Sequence, residues 1–225
     1  MLGHAGACLA EGGRVVLLSS IFVDCTLHGS AIDLAGPFAN LATGLLALAL
    51  AYRASAASSA RLFFALAAGF NLLWFGLQLA FSAATRTDDF AWPMQEFHLS
   101  EVSRYGLIAF GGLLAVLSVR ALARPFSVYA RPKARARRIV VIAWLTAGIF
   151  ACATALFDRH PVAAILHHAA PQSFVVSIGL WFLPEPAART SAAASPAIGF
   201  SARWLTAAVV VAAASIVFLG SGFSI

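Results

Sequence analysis

The sequence has few charged residues for its length. Only 11% of its 225 residues are Asp, Glu, Lys or Arg, whereas 61% are hydrophobic, and the mean hydropathy is +0.87. A soluble domain carries about 25% charged residues, so this composition excludes an ordinary water-exposed surface. The apolar residues also form long blocks, and a helix of about 20 apolar residues crosses the hydrocarbon layer of a bilayer. The composition therefore predicts a helical integral membrane protein.

Cysteine is also scarce. The three cysteines, Cys8, Cys25 and Cys152, fit neither a disulfide framework nor a cysteine-based zinc site. Cys152 lies in an apolar block, where we expect it to pack.

Long apolar blocks dominate the rest of the chain. We predict an all-α membrane protein, one membrane domain over residues 1–225, with about five transmembrane helices in a bundle. Frequent Ala and Gly in the blocks favour tight helix packing. Ser173–Leu183 is apolar but too short to cross alone. Residues 1–34 form an extramembrane segment with a short extended stretch near residues 14–23, and the predicted spans lie near residues 35–52, 62–83, 104–123, 139–157 and 203–223.

The basic residues are concentrated on one side of this predicted bundle. The loops 52–61 and 119–138 contain nine of the fifteen Lys and Arg residues and no acid or histidine. By the positive-inside rule this side is cytoplasmic. The rule also accounts for the net charge of +6, so we expect no nucleic-acid partner.

All nine acids and all six histidines fall on the other side of the predicted bundle, in residues 1–34, 84–104 and 158–203. Histidine and carboxylate together are common ligands of zinc and related metals. This distribution fits a shared polar site. It also fits scattered loop residues, because charge is excluded from the spans.

Three short motifs follow one another in the first half of the chain. Leu2-Gly3-His4-Ala5 matches the end of an H-E-x-x-H helix, in which two histidines bind zinc and the glutamate is the general base. Gly36-Pro37-Phe38-Ala39-Asn40 opens the first span, where Pro37 suits a first helical turn. Asn40 is costly at that depth unless it is hydrogen-bonded. Phe70-Asn71-Leu72-Leu73 lies within the second span.

This order of motifs resembles the site-2 protease family of intramembrane zinc metalloproteases, over roughly residues 1–92. The resemblance implies that the segment containing Gly36, Pro37 and Asn40 lies near the active site. It also implies that an aspartate beyond Asn71 is a zinc ligand. The implied metal ligands in this chain are His4, with Asp88 or Asp89 before Phe90. The implied cofactor is zinc, and the implied substrate is a peptide or a membrane protein.

The chain departs from the family pattern in ways that bear on activity. We expect the first histidine and the glutamate to lie upstream of Met1, and no Leu-Asp-Gly segment is present. The chain as given should therefore not hydrolyse peptides, and we assign no catalytic residue. Either the reading frame extends upstream and supplies His-Glu, or this is a truncated, inactive relative. The alternative is a non-enzymatic polytopic membrane protein, such as a transporter subunit or a scaffold.

Other polar residues receive structural assignments. We expect Gln78, within the second span, to hydrogen-bond a neighbouring helix. We expect His28 to be a turn residue rather than part of a metal pair with Cys25. We expect a multi-pass protein that is surrounded by the lipid bilayer of a bacterial inner membrane.

We predict that the chain remains with the membrane fraction after carbonate washing and that detergent is required to extract it. The physical reason is that its apolar blocks have no polar surface with which to face water. Immunoblotting of the washed fractions is the measurement. Recovery of a soluble monomer would contradict the membrane assignment.

Overall fold

The computed structural model describes residues 1–19, 22–56, 58–158, 160–190, 202–219 and 222. The fold is an all-α bundle with one small hairpin, which confirms the predicted fold class and the extended stretch near residues 14–23. The first half contains α1 (Leu2–Ala10), β1 (Val15–Leu18), β2 (Val23–Cys25), α2 (Ser30–Arg53), α3 (Ser59–Thr85) and α4 (Ala91–Glu96). The second half contains α5 (Glu101–Phe126), a 3₁₀ turn (Ser127–Tyr129), α6 (Lys133–Ala155), α7 (Pro161–Ala163), α8 (Pro184–Thr190) and α9 (Ala202–Leu219).

Within the described residues, five helical segments are long and apolar enough to cross a membrane. They are Ser30–Arg53, Ser59–Thr85, Glu101–Tyr129, Lys133–Ala155 and Pro161–Thr190. The first four coincide with predicted spans. The predicted span 203–223 corresponds to α9, and its residues 220, 221 and 223 lie outside the described part of the chain. With 18 residues, α9 is about 27 Å long, close to the roughly 30 Å hydrocarbon core.

Residues 173–183, which we expected to be too short to cross, belong to a longer interrupted helix. It runs from α7 to α8, and we call Pro161–Thr190 the broken helix. Two π-helical turns, Ala164–Ala169 and Pro171–Val175, and one 3₁₀ turn, Ile178–Phe182, connect its ends. Such turns carry the chain past prolines that would stop a regular α-helix. The prolines are why the sequence suggested separate short segments.

The broken helix brings Glu185 to the side of the bundle that carries the basic loops, which we call the basic face. There Glu185 forms ion pairs with Lys133 and, at 3.4 Å, with Arg189. Ala187 of the same helix packs with buried Tyr129. The expectation that every acid lies on the opposite side is therefore wrong for Glu185. The opposite side, with α1, the hairpin and the α3–α4 turn, is called the acidic face.

Small residues allow the central helices to pack closely, as expected. A Cβ atom on Gly111 of α5 would lie 2.5 Å from the carbonyl oxygen of Gly76 in α3, so the two backbones are in direct contact. Near the basic face, the buried Tyr129 hydroxyl donates a hydrogen bond of 2.6 Å to the carbonyl of Ser58. These contacts fix α3 at the centre of the bundle.

A disulfide joins α1 to the hairpin. Cys8 and Cys25 are bonded, with their Cα atoms 6.1 Å apart, so the expectation that the cysteines form no disulfide is wrong. The bond depends on the turn at Gly12 and Gly13, which folds the hairpin back onto α1, and the spacing in the sequence does not reveal this. Disulfides persist in oxidising compartments, and this one lies on the acidic face, in agreement with a cytoplasmic basic face.

We predict that Ser127→Cys and Arg189→Cys, each in a Cys152→Ser background, react with an impermeant maleimide only from the cytoplasmic side. Thr87→Cys is expected to react only from the other side. The reason is that the broken helix returns the chain to the basic face. Arg189→Cys reacting from the same side as Thr87→Cys would contradict the crossing of the broken helix.

Candidate functional site

Two adjoining cavities lie on the acidic face between α1, α2, the α3–α4 turn, α6 and the broken helix. Their volumes are about 270 Å³ and 250 Å³. The first brings together residues of all three sequence motifs, namely His4, Gly36, Asn40 and Asn71, with Asp89. The second adds Asp24, His28, Asp33, Asp88 and His168, and the residues common to both cavities are Met1, His4, Asp89 and Gln172.

His4 is held by one hydrogen bond and faces Asp89. Its Nδ1 lies 2.8 Å from the carbonyl oxygen of Ile32. Because a carbonyl only accepts, Nδ1 carries the hydrogen, and Nε2 of the neutral ring has a free lone pair. Nε2 lies 3.6 Å from Oδ2 of Asp89. A backbone bond on one ring nitrogen that orients the other is the usual arrangement of a metal-binding histidine.

Two glycines allow α1 to lie against α2. A Cβ atom on Gly3 would lie 2.4 Å from the carbonyl oxygen of Ala35, and one on Gly36 would lie 2.0 Å from Nε2 of His4. His4 therefore occupies the space that a side chain at position 36 would fill. The glycine of the Gly-Pro-x-x-Asn motif has a specific structural role here.

The rest of that motif lies inside a helix rather than at its start. We expected Pro37 in the first turn of its helix, but α2 begins at Ser30, so Pro37 lies in the helix interior. Because proline has no N–H, the carbonyl of Asp33 lacks its usual helical partner. Asn40, one turn further, lines the first cavity. Asn71 of α3 lines the same cavity, and its Nδ2 donates to the carbonyl of Ala67 at 2.8 Å.

The adjacent aspartates have different surroundings. Asp89 faces His4, whereas Asp88, whose φ is +72°, turns towards the broken helix. There its carboxylate accepts bonds of 3.2 and 3.4 Å from Nε2 of Gln172. Burial and the negative charge of Asp89 raise the pKa of Asp88, and the amides of Gln78 and Gln172 oppose this only in part.

Gln78 does not hydrogen-bond a neighbouring helix, contrary to expectation. Its side chain is fully buried beside Asp88, and neither its nitrogen nor its oxygen has a partner of standard geometry among the described residues. The hydroxyl of Ser82, one turn along α3, is in the same state. Sequence reasoning also missed Gln172, because a single amide after Pro171 in a short apolar segment carries no recognisable signal.

The pKa of His4 is raised above its ordinary value. Burial lowers the pKa of His4, but the nearby carboxylate of Asp89 and the carbonyl of Ile32 raise it by more. The charged His4–Asp89 pair therefore stabilises the fold fully below the ordinary histidine pKa of about 6.5. This contribution is lost as the pH rises through the raised pKa.

The donor set suits part of a metal site. The 3.6 Å between His4 and Asp89 is too long for a hydrogen bond. It is close to the roughly 3.3 Å expected between two ligands on one tetrahedral zinc ion. Among the described residues, however, no group of three or more His, Cys, Asp or Glu is placed to hold a metal. Cys25 is not available as a thiolate because it is in the disulfide.

The spacing of the H-E-x-x-H motif shows which positions correspond to its glutamate and its first histidine. In H-E-x-x-H the glutamate lies three positions before the second histidine. With His4 as that histidine, the glutamate position is residue 1, which is Met1. We had expected the glutamate position to lie upstream of Met1. The first histidine corresponds to the position immediately before residue 1. Met1 borders both cavities, so a methionine stands at the position where the resemblance expects the glutamate.

Comparison of the chain with protein-family models, curated proteins and solved structures gives no match. The likeness to site-2 proteases therefore depends on the three motifs and on their meeting at one cavity.

We predict that Gly36→Ala destabilises the protein by about 1–3 kcal/mol, the usual cost of overpacking, although alanine favours helices. The new Cβ would displace His4 from Asp89, so the fall in stability above pH 6.5 should also become shallower. The free energy of unfolding in detergent, measured from pH 6 to 8, is the readout. The control is Gly112→Ala, whose Cβ would meet nothing within 4 Å. Equal curves for both variants would refute the role of Gly36.

Proposed function

We propose that this chain is a non-hydrolytic, site-2-protease-like membrane protein that binds zinc in the cavity of its acidic face. The observation that supports this is the meeting of His4, Gly36, Asn40, Asn71 and Asp89 at one cavity. These residues come from four distant parts of the sequence. The family resemblance selects the same residues, with Asp89 as one of its two candidate aspartates.

His4 and Asp89 are the proposed ligands. Nε2 of His4 is oriented by Ile32, and Asp89 is the aspartate that faces it. Asp88 is a positioning residue, since it holds Gln172 at the edge of the cavities. The remaining histidine position of the motif precedes residue 1. A bound zinc ion would supply a Lewis acid able to hold the carbonyl or carboxylate oxygen of a polypeptide.

Met1 is the reason for proposing binding without hydrolysis. The thioether of methionine takes no proton at neutral pH, so the side chain of Met1 cannot activate a water molecule as the family's glutamate does. We propose a peptide or a segment of a membrane protein as the partner, and a bacterial inner membrane as the location.

A transporter subunit is the second candidate. The broken helix supports it, because interrupted helices line the substrate sites of many transporters. Here the interrupted segment contributes Gln172, Ser173 and Ser177 to the first cavity. Uptake of a small polar solute by vesicles containing the protein would favour this candidate.

We predict that purified protein binds zinc and that His4→Gln and Asp89→Asn each weaken binding by about tenfold or more. Loss of a residue that only hydrogen-bonds a metal ligand weakens binding by about 10–100-fold, and loss of the ligand itself should cost at least as much as the lower value. Asp88→Asn is expected to have a smaller effect. Equilibrium dialysis in detergent is the measurement, and no peptide hydrolysis should accompany binding.

Asp158→Asn is the matched control, because Asp158 is a loop carboxylate that bonds the backbone of His160. Its zinc affinity should equal that of the unmodified protein. If Asp88→Asn weakens binding more than Asp89→Asn does, the ligand assignment is wrong. If none of the variants changes zinc binding, the proposed site is wrong.

A further inference from the structure

A third pocket lies on the acidic face, between the end of α3, helix α4 and the start of α5. Its volume is about 310 Å³, at the lower end of the roughly 300–1,000 Å³ of ligand-binding pockets. It is lined by two arginines, Arg86 and Arg104, by one acid, Glu101, and by apolar side chains that include Met94 and Leu99. None of its lining residues borders the two cavities at His4. The pocket is therefore separate from the proposed zinc site.

The two arginines of this pocket share a single carboxylate. Nη2 of Arg86 lies 2.6 Å from Oε1 of Glu101, and Nη1 of Arg104 lies 3.1 Å from Oε2. In the described part of the chain no other carboxylate forms an ion pair with either arginine. The lining therefore keeps one excess positive charge, even when His98, its other titratable residue, is neutral. This charge complements a ligand that carries one negative charge.

Arg104 is held in place with one edge of its guanidinium available. Its side chain is only 17% exposed, and its guanidinium carbon lies 5.7 Å from the centre of the Tyr105 ring, a cation–π contact. Nη1 is the atom that contacts Glu101, whereas Nε is buried and has no hydrogen-bond partner among the described residues. Nε and Nη2 form an edge with which arginine donates two parallel hydrogen bonds to an oxyanion. This geometry suits a phosphate or a carboxylate group.

The surroundings of the pocket indicate its level in the membrane. Arg86 directly follows α3 and Arg104 lies in the first turn of α5, so both stand at the ends of membrane-spanning helices. Trp92, Phe97 and Tyr105, from the same part of the chain, are each at least half exposed. Trp and Tyr are enriched at the boundary between membrane and water. The pocket therefore lies at the level of the lipid headgroups, where the phosphates of phospholipids are the anions within reach.

We propose that this pocket binds the phosphate of an anionic phospholipid from the leaflet at the acidic face. Arg104 and Arg86 donate to the phosphate oxygens, and Met94 and Leu99 provide apolar surface for the part of the lipid next to the phosphate. Glu101 competes with the phosphate for both arginines. A choline headgroup would add a second positive charge beside the guanidiniums, so the pocket selects an anionic lipid over a zwitterionic one. This site does not depend on zinc binding.

Native mass spectrometry of the detergent-purified chain tests the proposal, with phosphatidylglycerol and phosphatidylcholine that carry the same acyl chains. The unmodified protein should retain phosphatidylglycerol in preference to phosphatidylcholine. Arg104→Gln and Arg86→Gln should each weaken binding of phosphatidylglycerol about tenfold or more, the loss expected for a hydrogen bond between charged groups. Glu101→Gln should strengthen it, because both arginines lose their competing carboxylate. An ion-pair network that only stabilises the fold would not give this increase.

The matched control is Arg14→Gln, which removes an exposed arginine of the same face that lines neither this pocket nor the two cavities. It should bind lipid as the unmodified protein does, and thermal melting should show that each variant is folded. If Arg104→Gln does not fold, Arg86→Gln decides, because the side chain of Arg86 is 63% exposed.

Three results would overturn the proposal. The first is equal retention of the two lipids by the unmodified protein. The second is unchanged binding of phosphatidylglycerol in the folded arginine variants, or no gain in Glu101→Gln. The third concerns the source of the phosphate: if inorganic phosphate raises the melting temperature as much as phosphatidylglycerol does at the same concentration, the pocket takes a free anion rather than a lipid.

Discussion

His4 can reach Asp89 only because residue 36 has no side chain, and much of the acidic face depends on this contact. The imidazole occupies the space beside Gly36, and Gly3 lets α1 lie on the backbone of α2. The disulfide between Cys8 and Cys25 then ties α1 to the hairpin. From His4 the contacts continue to Asp89, and from its neighbour Asp88 to Gln172 in the broken helix. Because Gly36 has no Cβ, His4 can pack there, and this contact joins the N-terminal segment to the membrane bundle.

The bilayer explains the features that look irregular. Backbone polar groups inside a membrane must be satisfied, so a segment containing Pro171 can remain at membrane depth only if neighbouring turns keep their hydrogen bonds. The π-helical and 3₁₀ turns of the broken helix do this. Gln172, Ser173 and Ser177 of that segment then line the cavity rather than face lipid. Buried Gln78 and Ser82 lie on the helix that faces the same region, and their side chains have no hydrogen-bond partner of standard geometry among the described residues.

Most of the fold could be predicted from the sequence, because the length and hydropathy of an apolar block are sufficient to identify a membrane helix. The broken helix could not, since Pro161, Pro171 and Pro184 resemble segment ends when only local rules are applied. The same error placed Glu185 on the wrong side. The disulfide was missed because it depends on the fold of residues 1–34, and two cysteines 17 positions apart carry no signal of pairing.

The candidate site was predictable in part. The motifs selected His4, Gly36, Asn40 and Asn71, but choosing between Asp88 and Asp89 needed the backbone of the α3–α4 turn, where Asp88 adopts a positive φ. Gln172 belongs to no motif, and only the tertiary structure brings it to Asp88. Counting residues shows that Met1 stands where the resemblance expects a glutamate, and only the structure shows that Met1 borders the cavities.

X-ray absorption spectroscopy at the zinc edge tests the central claim most directly. In the zinc-loaded protein we expect nitrogen and oxygen ligands at about 2.0–2.2 Å, including imidazole scattering. In His4→Gln the imidazole contribution should disappear. A spectrum that is identical in the two proteins, or that shows sulfur ligands, would contradict the assignment of His4 and Asp89 as the metal site.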